Sequence, residues 1–211
     1  MKVLHGKFLC TMMLTLGLLG SCKKDNDKPI VSYELDAAAS VAEWKGYLMT
    51  GYFNEGSIGV ASTALRVVNG KVKGGSFVLP LSSIKNFNLP TEDLKTQLIE
   101  HLQSDAFFKM VLYPQITFDI TSVAPYTSDA KEDLTGANYT ITGNLTMVGK
   151  SLPISFPAKI TIAAKKITVT AAIKVDRTKW GIDYAAAPEL PDDQRILHNI
   201  DIHLKLSGKA K

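Results

Sequence analysis

The stretch Glu100–Phe118, "EHLQSDAFFKMVLYPQITF", changes its period half-way along. Up to Ser104, apolar residues keep helical spacing, with Leu94, Leu98, Ile99 and Leu102 on one stripe. From Ile116 onward they recur at every second residue: Ile116, Phe118 and Ile120 alternate with Thr117, Asp119 and Thr121. An adjacent aromatic pair, Phe107 and Phe108, and a Tyr113–Pro114 stop lie between the two patterns. The spacing predicts one helix over Thr91–Ser104. Thr91 is its N-cap, and Glu92 and Asp93 sit in the first turn, where the helix dipole favours negative charge.

Outward from this stretch, period two dominates. Tyr139, Ile141, Gly143, Leu145 and Met147 form one row; Ile154, Phe156, Ala158, Ile160 and Ile162 form the next. Ile167 to Val175 and Ile200 to Leu206 continue the pattern, with "AKK" at 164–166 as a tight connection. Earlier, Val41–Tyr47, Gly56–Val68 and Val72–Pro80 read as strands, with "VNGK" at 68–71 as a hairpin turn. Pro153 and Pro157 fall on the polar face of their row, which suits an edge or bulged strand. About eight long antiparallel strands with one apolar face favour a closed barrel, because closure removes the edges. The expected fold is therefore all-β: an elongated eight-stranded antiparallel barrel, closed near one end by its one α-helix. Such a barrel has room for side chains or for one small ligand. Segments 125–138 ("TSDAKED") and 185–197 ("APELPDD") read as surface loops.

The N-terminus has its own pattern. Met1–Lys7 is short and basic, Phe8–Leu19 is apolar, and "LGSC" follows at 19–22. This is the layout of a secretory signal, and its apolar core is too short to span a bilayer. The Leu-Gly-Ser-Cys end looks like a bacterial lipobox. On that reading residues 1–21 are a lipoprotein signal peptide, Cys22 is acylated, 22–31 ("KKDNDKP" within it) is a polar tether, and 32–211 is the barrel. The chain's two cysteines, Cys10 and Cys22, would both be consumed, leaving no thiol for a disulfide, a metal site or a nucleophile. The expected place is outside the cytoplasm, anchored in a membrane through lipidated Cys22. Lys23, rather than Asp, after that cysteine points to the outer membrane, facing the periplasm.

The net charge of +4 falls to +2 without Lys2 and Lys7 and is scattered, so it gives no nucleic-acid footprint. Of the four histidines, His5 is in the signal, His101 is on the helix, and the spacing of five between His198 and His203 puts them on opposite faces of a strand, where they cannot chelate one ion together. No Gly-x-Ser-x-Gly elbow occurs, and "GKVKGG" at 70–75 lacks a phosphate-loop ending. No metal, cofactor or catalytic set is expected.

Five segments, in this order, resemble a known family: "VAEWKGYLMTGYFNEGSIGV" (41–60), "NGKVKGGSFVLPLSSI" (69–84), "HLQSDAFFKMVLYPQITFDITSV" (101–123), "YTITGNLTMVGKSLPISFPAKI" (139–160) and "DRTKWGIDY" (176–184). Together they look like the YceI-like family of bacterial lipid-binding proteins, over Tyr33–Leu206. The resemblance implies a lipocalin-like barrel whose apolar lumen holds a polyisoprenoid, a quinone or an isoprenyl phosphate. It implies a lumen lined by Trp44, Phe77 and Leu79; by Phe107, Phe108, Ile116, Phe118 and Ile120; and by Leu145, Phe156, Ile173 and Trp180. Asp176 and Arg177 are expected to pair at the barrel end. The sequence departs from the family at "AAAPELPDDQRILHN" (185–199), which replaces a glycine-rich loop at one barrel mouth. Two alternatives stand beside the lipid binder: an enzyme acting on a barrel-bound lipid or small acid through His101 or His203, and an adhesion module whose barrel is solid. A homodimer is left open.

Overall fold

The computed structural model describes residues 29–61, 64–126 and 136–211. The signal segment, Cys22, the tether to residue 28 and most of the "TSDAKED" loop lie outside the described residues.

Eleven strands form one sheet: β1 (Ile30–Leu35), β2 (Val41–Leu48), β3 (Phe53–Gly59), β4 (Ala64–Val68), β5 (Lys71–Pro80), β6 (Lys85–Asn86), β7 (Gln115–Pro125), β8 (Tyr139–Met147), β9 (Lys150–Ala163), β10 (Lys166–Asp176) and β11 (Ile196–Ala210). The helix α1 (Glu92–Gln103) falls between β6 and β7. The sheet closes as an antiparallel ring of eight, β1-β4-β5-β7-β8-β9-β10-β11, through pairing of Tyr33–Leu35 with Gly208–Ala210.

The three further strands do not enlarge the barrel. β11 is long enough to pair with β2 through Ile196–Lys205 and with β1 through Gly208–Ala210, so β1 and β2 are two lengths of one stave. β3 pairs with β2, β4 pairs with β1, and Ala61 bridges to Val78 of β5. β3 and β4 thus make a second interrupted stave, where the periodicity predicts one strand over Gly56–Val68. β1 begins at Ile30, inside the segment assigned to the tether, with Ile30 opposite Val68.

The first stave is interrupted at Asp36–Ser40. There Ser40, which is 4% exposed, replaces a backbone partner. Its hydroxyl donates to the Ser207 carbonyl (3.3 Å) and accepts from the Ser207 N–H (3.0 Å), while Asp36 N–H donates to the same carbonyl (2.8 Å).

Turn chemistry follows the strand twist. Asn69 and Gly70 both have positive φ, as a two-residue hairpin requires. Pro153 and Pro157 explain a gap in the wall. β9 pairs with β8 along its whole length, but with β10 only through Ala158–Ala163. Ala158 and Ile160 turn their backbone groups toward the β8 side, so 153, 155 and 157 point toward β10. Two of those three are prolines without an N–H, and the ladder to Ala172–Asp176 does not form.

The helix forms as its sequence predicts. Thr91 Oγ1 accepts from Leu94 N–H at 3.3 Å, and Ser104 caps the other end by donating its N–H to the His101 carbonyl. Leu102 is buried, and Leu98 and Ile99 pack on the core.

Replacing Ser40 with Ala leaves the Ser207 N–H unserved, while its carbonyl keeps the Asp36 N–H, at about 1–3 kcal/mol. In a chain of this size the melting temperature should fall by about 2–4 °C per kcal/mol. A calorimetric scan checks this, and an unchanged melting temperature would show that water serves Ser207 equally well.

Candidate functional site

The barrel interior differs at its two ends. In the half where β1 and β4 complete the wall, Tyr33, Leu35, Leu65, Val67, Ile160, Ile167 and Leu206 fill the space. The void left there is about 10 Å³, room for one water at most. In the half under α1 a cavity of about 340 Å³ remains.

Three phenylalanines divide the halves. Phe118 lies 5.3 Å from Phe77 and 5.5 Å from Phe156, centroid to centroid, and all three touch both spaces. These tilted ring contacts form a floor. Phe118 reaches its place because position 143 is glycine: a Cβ there would sit 2.4 Å from the ring's Cζ.

The roof is α1 and its exit. Leu98, His101 and Leu102 face the cavity, as do Phe107 and Phe108, whose rings meet edge-on at 4.9 Å. The walls are Leu79, Ile116, Leu145, Ile154, Ile173, Val175, Ile202 and their neighbours. Part of the hollow comes from Ala42 and Gly46 of β2, which face inward on either side of Trp44. A Cβ at Gly46 would meet nothing within 4 Å.

Ten of the residues singled out in the sequence line this cavity: Trp44, Phe77, Leu79, Phe107, Phe108, Ile116, Phe118, Leu145, Phe156 and Ile173. Ile120 does not; it borders the small void below the floor, two residues too deep along β7. Trp180 does not either. It lies in a 3-10 turn (Arg177–Trp180) and is 4% exposed, with Nε1 donating to the Leu145 carbonyl at 3.0 Å from outside the cavity.

The YceI-like domain family model matches residues 33–207. The chain belongs to the YceI-like family. Among solved structures, this YceI-like barrel is similar to BcnA of Burkholderia cenocepacia, with TM-score 0.63 and 17% identity over 82% of this chain and 98% of that one. It is also similar to a polyisoprenoid binding domain from Saccharophagus degradans implicated in plant cell wall breakdown. That match has TM-score 0.59 and 14% identity, covering 86% and 99% of the two chains. At such identities the likeness is one of fold. No curated protein is significantly similar in sequence.

The polar groups of the YceI-like cavity are few. Arg177 is fully buried, and it does not pair with Asp176 as expected. Its Nε, Nη1 and Nη2 donate to the carbonyls of Leu197, Ile182 and Ile196, and its guanidinium lies 5.7 Å from the Phe107 ring centre. Burial lowers its pKa from the usual arginine value, partly offset by nearby Asp176 and Asp183. The Asp176 carboxylate instead accepts from the Thr178 hydroxyl and N–H. That bonding, the hydroxyl first, lowers its pKa.

Trp44 Nε1, Asn54 Oδ1 and His101 Nε2 are buried without a hydrogen-bond partner among the described residues, and all three residues line the cavity. Asn54 was not singled out in the sequence, where "FNEG" reads as an ordinary strand start. The register places it opposite Gly46, on the cavity face of β3.

The two histidines of the enzymatic alternative stand in different places: His101 lines the cavity and His203 does not. The His101 ring packs against Tyr184 (4.4 Å) and Phe107 (6.3 Å), and no described side chain hydrogen-bonds to it. His203 is exposed on the outer face of β11. Among the described residues no cluster of three or more His, Cys, Asp or Glu could hold a metal ion.

Gly46→Leu fills the cavity without touching backbone or strain, so it should weaken binding of any cavity ligand by at least about tenfold. The melting temperature should stay at or above that of the unsubstituted protein. Titration with a fluorescent long-chain probe, run beside a thermal scan, reads both.

Proposed function

We propose that this protein binds, without catalysis, the hydrocarbon tail of a long-chain lipid, a polyisoprenoid, in the cavity under α1. The observation that carries the reading is the cavity itself: about 340 Å³, almost wholly apolar, with an aromatic floor and a helical roof. That volume falls at the small end of ligand sites, which suits a slender chain better than a bulky one. Each methylene moved from water into such a space contributes about 0.8 kcal/mol, so a tail needs few polar contacts to be held. The polyisoprenoid assignment is supported by family membership and by the printed description of the Saccharophagus degradans neighbour.

Of the two head groups, a quinone fits the lining better than an isoprenyl phosphate. Arg177, among the described residues the only lysine or arginine on the cavity wall, already serves three backbone carbonyls. The groups left without partners, on Trp44, Asn54 and His101, suit an uncharged acceptor or donor. The setting we propose is that of an exported lipoprotein, acylated at Cys22 and held in the outer membrane facing the periplasm. This rests on the N-terminal sequence pattern alone.

The chain's two tryptophans provide the test, since Trp44 lines the cavity and Trp180 does not. Protein extracted from its native membrane should carry a hydrocarbon-tailed molecule visible by native mass spectrometry. Adding a quinone with an isoprenoid tail to stripped protein should quench tryptophan emission in the Trp180→Phe variant and not in the Trp44→Phe variant. Stripped protein that takes up no isoprenoid in either assay would end the proposal.

A further inference from the structure

The exposed apolar side chains are not scattered. Among the described residues, every large hydrophobic one except Ile30 sits at the α1 end of the barrel. Met49 and Tyr52 lie in the β2–β3 turn, Phe87 follows β6, and Val111 and Leu112 precede β7; Tyr184 stands over the roof against His101. The strands run so that the turns before β3, β7, β9 and β11 all meet at this end. The solid end, where the described chain begins, carries only Ile30.

Val111 and Leu112 are the most pronounced pair, 89% and 67% exposed. They are not a loose tip. Lys109 has positive φ (52°), and its carbonyl accepts from the N–H groups of both Leu112 and Tyr113. Tyr113 then packs against Gly149, where an added Cβ would meet its ring at 2.6 Å. The pair is held outward on a tight, braced turn. Lysines flank it: Lys109 on the turn, Lys150 beside Gly149, and Lys179, whose carbonyl accepts from Lys150 Nζ. Asp176, in the same corner, is tied to Thr178.

We propose that this rim docks on the surface of a lipid bilayer, with Val111 and Leu112 entering the head-group region and the lysines beside them meeting lipid phosphates. Apolar side chains with cations at their flanks are the composition that binds a membrane interface. The rim is also continuous with the cavity: Tyr52 and Tyr184 are both exposed rim residues and cavity-lining ones. A tail leaving a bilayer at this contact would pass into the lumen without crossing water. The inference rests on the lipid-binding reading, and the test below separates the two.

The chain from Lys23 onward retains every described strand and all of the core, so it serves as the test protein. A single cysteine is placed at Val111 or, as a control at the far end, at Ile30, and each is labelled with an environment-sensitive fluorophore. Vesicles of phosphatidylcholine and phosphatidylglycerol carrying a spin-labelled quencher are then added. The expected result is a blue shift with quenching at position 111 and neither at position 30. No response at 111, or an equal response at both ends, overturns the docking surface. A shift at 111 that appears with rising protein concentration and no vesicles assigns the rim to a second copy of the chain and also overturns it.

The double variant Val111→Glu, Leu112→Glu alters only exposed side chains. It should slow uptake of an isoprenoid quinone from vesicles by at least about tenfold and leave uptake from detergent micelles unchanged. Uptake from vesicles at the unsubstituted rate rejects the docking role alone, whereas failure of both proteins to take up quinone from micelles rejects the lipid-binding reading.

Discussion

The barrel depends on one strand serving two partners along the same edge. β11 pairs with β10 over its length and, on its other side, hands over from β2 to β1. Without that hand-over the sheet would have two open edges, each a row of unpaired backbone groups available to other chains. The hand-over leaves a break at Ser207, and the Ser40 hydroxyl fills it with both a donor and an acceptor. A single buried hydroxyl thus lets a stave change partner lengths without leaving a hole in the ladder.

Closure makes a tube, but side-chain size decides where the tube is empty. Below the Phe77–Phe118–Phe156 floor, large residues from facing staves meet across the axis. Above it, Ala42 and Gly46 withdraw from the space, and α1 roofs over what remains. The cavity therefore costs little strain. Both halves carry buried core residues, and the half under α1 has the room for a ligand. The gap between β9 and β10, kept open by two prolines, lies in the hollow half as well.

Much of this was legible in the sequence, because period and polarity are local properties. The helix and its N-cap followed from Thr91, the acidic first turn and the leucine stripe. Alternation marked the long strands, and Pro153 and Pro157 marked an unpaired edge. Parity along a strand also separated inward from outward residues. Depth along the axis is not a local property, and period alone does not give it. Ile120 has the right parity and the wrong level. Trp180 lies past Asp176, where β10 ends and alternation carries no information. β1 was partly absorbed into the tether because six residues after a polar run give too few alternations to stand out. The division of Gly56–Val68 into β3 and β4 was hidden because the two strands align on one stave. The place of Asn54 required a register, since it lies opposite Gly46 on the neighbouring strand.

The first described strand starts at the filled end, with Ile30 level with the β4–β5 turn. A lipid on Cys22 would reach that end through about eight residues, a span of at most about 28 Å even when fully extended. The barrel would then be moored by its base with its mouth turned outward, like a cup on a short stem. The sheet of lipid that moors it and the sheet that fills it would be different ones, facing each other across an aqueous gap.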